Sequence, residues 1–221
     1  FKSFLTYFFI GIDIPHFITD LVIVFFQEKC RLQYKKLCSL LYLLTDFPAA
    51  KLHETIPNFH NTPDRYRAFH ETLTRDPMHR AAQVQPEIEF ALARQAEMSA
   101  IQNALTAGEL PLRVTHNDTK LNNVLFDAET RRPICVIDLD TVMPGLAAFD
   151  YGDSIRFGAS TAAEDEPDLS RVQFSLPMFE AFTRGFLKEA GQTLGAREIE
   201  LMPMGAKLMT LECGMRFLAD Y

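Results

Sequence analysis

Two short apolar runs lie close together near the middle of the chain. Residues 124–126 and 135–137 are rich in β-prone side chains, and the turn-forming segment 127–133 separates them. Short apolar runs that flank such a segment are typical of a β-hairpin. If the turn of this hairpin is centred between Thr130 and Arg131, every cross-strand pair is apolar: Val124 with Ile137, Leu125 with Val136, and Phe126 with Cys135.

The same register predicts where three polar side chains meet. Asn123 lies directly opposite Asp138 at the end of the hairpin, and Asp118 comes a few residues before Asn123. An amide and two carboxylates at one place can hold a hard divalent cation beside a proton acceptor. The alternative interpretation is that these residues only cap loops, since Asp and Asn are common in turns.

Helical periodicity dominates the chain before the hairpin. It predicts a short helix over residues 35–46 and a polar surface loop over residues 51–63. A helix that Pro63 opens follows, with Tyr66, Phe69 and Leu73 on one face. A single longer helix is then predicted to end near Gly108; its apolar face is formed by Val84, Ile88, Leu92, Gln95, Met98, Ile101 and Leu105.

After the hairpin, the chain returns to helical patterns. Met143-Pro144-Gly145 predicts a turn, residues 149–157 open a further helix, and residues 161–170 form an acidic loop. Two periodic helices close the chain; their apolar positions are Leu176, Phe179, Phe182 and Phe186, and then Leu201, Met204, Leu208, Leu211, Met215 and Leu218. The predicted fold class is therefore α+β, mainly helical, with one β-hairpin at its centre.

The first 36 residues match none of these patterns. Residues 1–26 are rich in Phe and Ile, but no stretch approaches the roughly 18 apolar residues that a spanning helix needs, because four residues interrupt it: Asp13, Pro15, His16 and Asp20. No signal peptide is evident either. We leave residues 1–36 unassigned, as a remnant or aberrant part of an N-terminal lobe, and assign residues 37–221 to the main domain. We expect the chain to be truncated at both ends.

Charge and cysteine content narrow the class of protein. The net charge is -7, whereas a nucleic-acid-binding surface would need a basic stripe, so no nucleic-acid partner is expected. The four cysteines show no metal-ligand spacing such as C-x-x-C, and a reducing cytoplasm suits them better than a disulfide framework; they are Cys30, Cys38, Cys135 and Cys213. We expect a cytoplasmic protein without a membrane partner.

His116-Asn117-Asp118, followed by Asn123, fits the pattern H-x-D-x-x-x-x-N. This is the catalytic-loop pattern of the kinase fold, and Asp138 follows where the metal-binding aspartate of that fold stands. Together they resemble the aminoglycoside phosphotransferase and choline kinase superfamily. Four segments are similar to its N-acetylhexosamine 1-kinase branch: LHETIPNFHNTP, VTHNDTKLNNVLFD, CVIDLDTVMPG and DYGDSIRFGA. The resemblance covers residues 37–221 and implies a protein-kinase-like C-terminal lobe, incomplete at its C-terminus, with a central catalytic β-hairpin.

Departures from the protein-kinase pattern point to a small-molecule substrate. Asn117 stands where protein kinases usually have Arg, no A-P-E follows, and Asp138-Leu139-Asp140 replaces D-F-G. Residues 1–113 contain no glycine-rich loop and no V-A-I-K-like lysine strand. The lobe that covers the nucleotide phosphates in this fold is therefore expected to be missing or reduced.

The resemblance assigns a role to each polar residue of the site. Asp118 is the expected general base that accepts the proton of the attacking hydroxyl. Asn123 and Asp138 are expected to hold Mg²⁺ against the phosphates of ATP. Asp140 is a candidate additional ligand, and Lys120 is either a phosphate contact or a solvated lysine.

Other polar residues have mainly structural interpretations. His116 is expected to brace the loop, and Asp150 and Asp153 to cap the following helix and accept N–H bonds from the loop. The spacing of the remaining histidines favours surface or substrate-loop positions over a metal site; they are His53, His60, His70 and His79. The acidic run 164–166 is expected to be a solvated loop, or a border of the sugar pocket.

The sequence therefore predicts an ATP-dependent phosphotransferase that acts on an alcohol group of a small molecule. The expected acceptor is a sugar or amino sugar, with the anomeric hydroxyl of an N-acetylhexosamine favoured. One alternative acceptor is an aminoglycoside, choline or another small alcohol. A different alternative is an inactive fragment or binding module that lacks the nucleotide-covering lobe.

Overall fold

The computed structural model describes residues 44–130, 132–164 and 166–221. The unassigned segment 1–36 and nearly all of the helix predicted over residues 35–46 lie outside the described residues. Residues 44–46 of that prediction form a turn. In the described part of the chain, no helix has the length and apolar character needed to cross a membrane.

The first described helix, α1, spans Thr62–Arg75 and begins where the sequence predicts. The side chain of Asn61 caps it by accepting the N–H of Asp64 at 3.2 Å, and proline occupies its first turn. It ends at Asp76, which adopts the left-handed conformation with φ 35°. The predicted face is confirmed, since Phe69 is fully buried against the last helix of the chain.

The long helix predicted from Val84 onward is wrong, because the structure divides it. Helix α2 spans Gln85–Leu92 and α3 spans Ala100–Thr106. The guanidinium of Arg94 donates to the carbonyl of Phe90 at 2.7 Å and lies over the ring of Phe90. The N–H of Arg94 bonds to the carbonyl of Ala91 instead, at 3.2 Å, and the α-helical ladder is interrupted there. A side chain thus replaces the bond that would have continued the helix.

Three helices form the rest of the domain. Helix α4 spans Ala147–Gly158, α5 spans Leu176–Ala190 and α6 spans Ala196–Asp220. They confirm the helices predicted downstream of the hairpin. The apolar residues of α6 are buried against α1, α2, α4 and α5, so this helix forms the centre of the core.

Helices α4 and α6 pack closely because each carries a glycine at the contact. A Cβ placed on Gly152 would lie 2.4 Å from the backbone carbonyl carbon of Gly205, and a Cβ on Gly205 would lie 2.1 Å from the carbonyl oxygen of Ala148. Atoms cannot approach so closely, so only glycine fits at these two positions. This contact fixes the position of α4 relative to α6. Asp150 of α4 supports the candidate site.

Four short strands form two antiparallel pairs, rather than one hairpin alone. Strand β1 (Arg113–Thr115) pairs with β4 (Met143–Gly145), and β2 (Val124–Phe126) pairs with β3 (Pro133–Val136). The turn predicted at Met143-Pro144-Gly145 is therefore wrong. A Cβ on Gly145 would lie 2.1 Å from the hydroxyl oxygen of Thr115, which is why glycine occupies this strand position.

The hairpin between β2 and β3 exists, but its predicted register is wrong by one residue. Val124 pairs with Val136, Leu125 pairs with Cys135, and an irregularity after Leu125 brings Phe126 opposite Pro133. The carboxylate of Asp127 accepts the N–H of Thr130 at 2.6 Å, which shapes the turn. At the other end, the N–H of Ile137 donates to the carbonyl of Asn123 at 2.9 Å. Asn123 therefore lies opposite Ile137, and Asp138 lies one residue beyond.

Candidate active site

The loop that follows β1, residues 116–119, is held by the carboxylate of a buried aspartate. Asp150 of α4 accepts the backbone N–H of His116 at 2.9 Å and that of Asn117 at 2.7 Å. Its carbonyl accepts the hydroxyl of Thr119 at 2.6 Å. Burial raises the pKa of Asp150 to about 6, although the two N–H donors act in the opposite direction. Asp150 is therefore ionised at neutral pH, and its predicted supporting contact is confirmed.

Asn117 has a left-handed backbone conformation, with φ 64°. Asparagine tolerates this conformation better than most residues, and here its side chain is also bonded. Its Nδ2 donates to the carbonyl of Thr141 at 3.0 Å, and its Oδ1 accepts the hydroxyl of Thr115 at 2.9 Å. The residue before Asp118 is consequently fixed by both its backbone and its side chain.

His116 links this loop to the strand that leads to Asp138. Its Nδ1 accepts the backbone N–H of Asp118 at 3.3 Å. Its Nε2 must then carry the proton, which it donates to the carbonyl of Ile137 at 3.0 Å. Both ring nitrogens are occupied by backbone groups, as the structural interpretation of His116 predicts.

Asp118 lies at the surface end of the loop, with a fifth of its side chain exposed. The ammonium of Lys120 lies 3.2 Å from its Oδ1. The amide nitrogen of Asn123 donates to its Oδ2 at 3.0 Å and to its backbone carbonyl at 2.8 Å. The structure thus brings Asp118, Lys120 and Asn123 together, and it turns the amide oxygen of Asn123 away from Asp118.

Asp138 and Asp140 are exposed carboxylates that lie within hydrogen-bonding reach of each other. The hydrogen bond and the negative charge of Asp140 raise the pKa of Asp138; the charge of Asp118 adds to this effect, whereas Lys120 opposes it. Asp138 has a left-handed backbone with φ 65°, which turns the chain immediately after β3. Three carboxylates therefore share one region, and among the described residues Lys120 is the cation that offsets the charge at Asp138.

A pocket opens beside Asp118 toward α1, α4 and α6. Residues along its wall include His60, Arg156 and Glu212, in addition to Asp118 and Lys120. The Nε2 of His60 lies 2.8 Å from the carbonyl oxygen of Asn117, and its Nδ1 lies 3.2 Å from a carboxylate oxygen of Glu212. A small molecule bound in this pocket would lie next to the carboxylate of Asp118.

The model of the phosphotransferase enzyme family, abbreviated APH, matches residues 28–189, which is most of the chain. The chain belongs to this phosphotransferase family. Membership supports a kinase-like enzyme that acts on small-molecule substrates, and it implies the use of ATP and usually of a divalent metal. The matched segment contains the whole loop of Asp118, the hairpin and the pocket residues from Phe59 to Glu164, whereas the pocket residues of α6, among them Glu212 and Arg216, lie beyond it.

The donor atoms suit the metal that a phosphotransferase uses. No group of three or more His, Cys, Asp or Glu side chains in the described ranges is arranged to hold a metal ion. Mg²⁺ does not require such a group, because it is usually bound by one or two carboxylates together with phosphates and water. The repulsion between Asp138 and Asp140 is also the kind that a divalent cation relieves. The residues present therefore fit Mg²⁺.

Sequence reasoning missed two contacts of the candidate site. His60 was expected at the surface or in a substrate loop, but its side chain is mostly buried and contacts the loop of residues 116–119. Glu164 was expected in a solvated loop or at the border of the sugar pocket; it lies along the wall of the pocket beside Asp118, and its pairing with the buried Arg156 was not predicted. The prediction that Asp153 would accept N–H bonds from the loop was also wrong, because it accepts the Nε of Arg156 at 2.9 Å. No signal in the local sequence marks the partners of His60, which come from distant segments, whereas Asp153 and Arg156 have the i,i+3 spacing at which side chains of a helix meet.

Proposed function

We propose that this protein transfers the γ-phosphoryl group of ATP to the anomeric hydroxyl of an N-acetylhexosamine. One observation carries the proposal: Asp118 borders a pocket whose charged side chains are nearly balanced. Family membership supports the transfer of phosphate to a small molecule. The composition of the pocket supports the choice of a neutral acceptor.

Asp118 acts as the general base of the proposed reaction. Its carboxylate accepts the proton as the acceptor oxygen forms a bond to the γ-phosphorus, and the bond from that phosphorus to the bridging oxygen of ADP breaks. The two contacts from Lys120 and Asn123 hold the carboxylate in one orientation before the acceptor arrives. Such positioning, more than covalent chemistry, is what phosphoryl transfer requires of a protein.

Asn123, Asp138 and Asp140 form the proposed metal side of the site. The amide oxygen of Asn123 and the carboxylate oxygens of both aspartates are hard ligands of the type that Mg²⁺ takes. Mg²⁺, when bound there, would neutralise charge on the phosphates of ATP. Lys120 contributes a further positive charge on the side of Asp118 and is the proposed phosphate contact of the chain.

The charges of the pocket favour a neutral sugar over a cationic acceptor. Its basic side chains are those of Arg65, Lys120, Arg156, Arg216 and the partly buried His60, and its acidic ones are those of Asp118, Asp153, Glu164 and Glu212. Aminoglycosides carry several ammonium groups, and these would meet the basic side chains. Choline is usually bound by an aromatic cage, whereas Phe59 is the one phenyl ring along the described wall. We propose no nucleic-acid or membrane partner and a cytoplasmic location.

A panel of acceptors tests this function. N-acetylglucosamine, N-acetylgalactosamine, an aminoglycoside and choline are each incubated with the protein, ATP and Mg²⁺, and the product is examined by ³¹P NMR. We expect a sugar 1-phosphate from an N-acetylhexosamine and no product from the two cationic acceptors. The methyl glycoside of the same sugar is the control, because it lacks a free anomeric hydroxyl.

Each other outcome has a definite meaning. Phosphorylation of the methyl glycoside would place the reaction at another hydroxyl. Preference for the aminoglycoside or choline would overturn the argument from pocket charge. No ATP-dependent product with any acceptor would favour the alternative of a non-catalytic binding module, which agrees with the lack of a glycine-rich loop in residues 1–113.

A further inference from the structure

The peptide bond between Asn117 and Asp118 is held at both ends by imidazole rings. The Nδ1 of His116 accepts the N–H of Asp118 at 3.3 Å. On the opposite side of the peptide, the Nε2 of His60 lies 2.8 Å from the carbonyl oxygen of Asn117. Because this peptide ends at the Cα of Asp118, whatever fixes its plane also fixes the point from which the side chain projects, and Lys120 and Asn123 then hold the carboxylate.

The two rings hold their protons differently. A carbonyl oxygen only accepts hydrogen bonds, so the Nε2 of His60 must donate to Asn117. The Nδ1 of His60 faces Glu212 at 3.2 Å, and an ionised carboxylate also only accepts. A neutral imidazole has a single N–H, so both contacts are satisfied when the ring is an imidazolium. The other oxygen of Glu212 accepts the hydroxyl of Thr62 at 2.5 Å, which keeps this carboxylate in place.

The electrostatic surroundings agree with that protonation state. Burial by itself lowers the pKa of His60, but the hydrogen bond and charge of Glu212, the carbonyl of Asn117 and the charge of Asp153 together raise it above the ordinary value. Charged groups from several elements line the same pocket as His60; they are Arg65 of α1, Asp153 and Arg156 of α4, Glu164 of the loop after α4, Glu212 and Arg216 of α6, and Asp118 and Lys120 of the catalytic loop. Asp150 of α4 also interacts electrostatically with the ring.

The conformation of Asn117 explains why its carbonyl needs a partner. A left-handed backbone is strained in a residue with a side chain, and such a conformation persists only where its surroundings fix it. The segment of His60 also reaches the other half of the site, since the hydroxyl of Thr55 donates to the carbonyl of Asp140 at 3.0 Å. The segment 52–61 thus contacts both the base side and the metal side.

We infer that His60, as an imidazolium, is a positioning residue that fixes the Asn117–Asp118 peptide and thereby orients Asp118 toward the acceptor. Its effect on turnover rests on the proposed function, whereas its protonation state and its effect on the peptide do not. His60 itself touches neither reacting atom in this account.

NMR tests the inference without any need for activity. The imidazole ¹⁵N shifts of His60, assigned by their loss in His60→Gln, should show both ring nitrogens protonated at pH 7. Hydrogen exchange at the N–H of Asp118 should be faster in His60→Gln than in the wild-type protein. His70→Gln is the control, because His70 is an exposed histidine on α1. A single protonated ring nitrogen, or unchanged exchange at Asp118, would overturn the inference.

Steady-state kinetics tests the consequence for the proposed reaction. We expect His60→Gln to lower kcat about 10- to 100-fold, the effect of a displaced reacting group, with KM for ATP unchanged. Because His60 is charged below its pKa, wild-type activity should fall as the pH rises through that pKa, and this loss should be absent in His60→Gln. Wild-type kcat in this variant would contradict a positioning role.

Glu212→Gln provides a second variant if His60→Gln does not fold. Glutamine retains an acceptor for Thr62 and the shape of the side chain, but it removes the negative charge. The pKa of His60 should fall in this variant, and kcat should fall with it at neutral pH. If His60 becomes neutral while kcat stays at the wild-type level, the inference is wrong. If the wild-type protein phosphorylates no acceptor, the proposed function fails, and the NMR results alone decide the inference.

Discussion

The loop of residues 116–119 and the β2–β3 hairpin form the two sides of the candidate site, and they are held in different ways. The loop is largely buried, and its backbone is bonded to the side chains of Asp150, Thr141 and His60. The hairpin is exposed, with about half of Leu125 and Ile134 accessible to solvent. Its end carries Asp138 and Asp140, which repel each other.

This difference indicates that different interactions order the two sides of the site. The fold itself orients the proposed base, because buried hydrogen bonds to a charged carboxylate contribute to stability as well as to geometry. The proposed metal side is ordered by the cation that it would bind, since two exposed carboxylates repel each other until a cation lies between them. Changes to the buried groups that hold the loop should therefore affect stability and activity together, whereas changes to the partly exposed Asp118 or to the carboxylates at the end of the hairpin should affect activity alone.

On the hairpin side of the site, Asp138→Asn is expected to cause the largest fall in kcat without a fall in the free energy of unfolding. The substitution removes a proposed metal ligand, and kcat should fall about 10²- to 10³-fold, as when one group that stabilises transition-state charge is lost. The free energy of unfolding should not fall, because the repulsion with Asp140 is removed as well. Kinetics at saturating ATP over a range of Mg²⁺ concentrations and urea denaturation measure the two quantities. An equal loss of stability would show that Asp138 has a structural role.

On the loop, Asp150→Ala should lower both the free energy of unfolding and kcat. Two buried N–H groups, those of His116 and Asn117, lose their acceptor. We expect a loss of about 2–5 kcal/mol in the free energy of unfolding, from two unsatisfied donors, and a large fall in kcat. Urea denaturation and the same kinetic assay measure both effects. A fall in kcat at unchanged stability would contradict the division between loop and hairpin.

The pH dependence of the free energy of unfolding tests the raised pKa of the buried Asp150. Because the pKa of Asp150 is raised to about 6 in the folded protein from 3.8, the folded state binds a proton between these values that the unfolded state does not. Its contribution to stability is present below pH 3.8 and is lost as the pH rises through about 6. Relative to Asp150→Asn, the wild-type protein should lose about 3 kcal/mol over this range. A difference that is independent of pH would contradict the raised pKa.

The smallest effect is expected on the outer face of the hairpin. Ile134→Thr replaces an exposed residue of β3 by another β-branched residue. The free energy of unfolding should change by less than about 0.5 kcal/mol, and kcat should remain at the wild-type level. Thermal denaturation and the kinetic assay are sufficient to check this. A large loss of stability would show that this face of the hairpin is covered in the protein.

The composition of the site could be predicted from the sequence because its spacing is local. Asp118 and Asn123 lie on one short loop, and the apolar runs on either side of the turn predict the hairpin that brings Asp138 near them. The register could not be predicted by pairing apolar residues alone. The bonds of Asp127 within the turn and the irregularity before Phe126 shift the pairing by one residue.

The features that could not be predicted depend on contacts between distant segments. Strand β4 forms because Thr115 and Met143 pair across the loop, and its own sequence looks like a turn. His60 reaches Asn117 and Glu212 only after α1 and α6 have packed together. Periodicity describes which face of a helix is buried, but it does not say which loop that face supports.

The central claim is that Asp118 is the base of a small-molecule phosphotransferase. It is tested most directly by comparing the rate of ATP-dependent sugar phosphorylation in Asp118→Asn and in the wild-type protein. We predict a fall in kcat of about 10²- to 10⁴-fold with an unchanged free energy of unfolding, while Asp220→Asn, the same change at an exposed position on α6, retains full activity. Near wild-type turnover by Asp118→Asn would contradict the account.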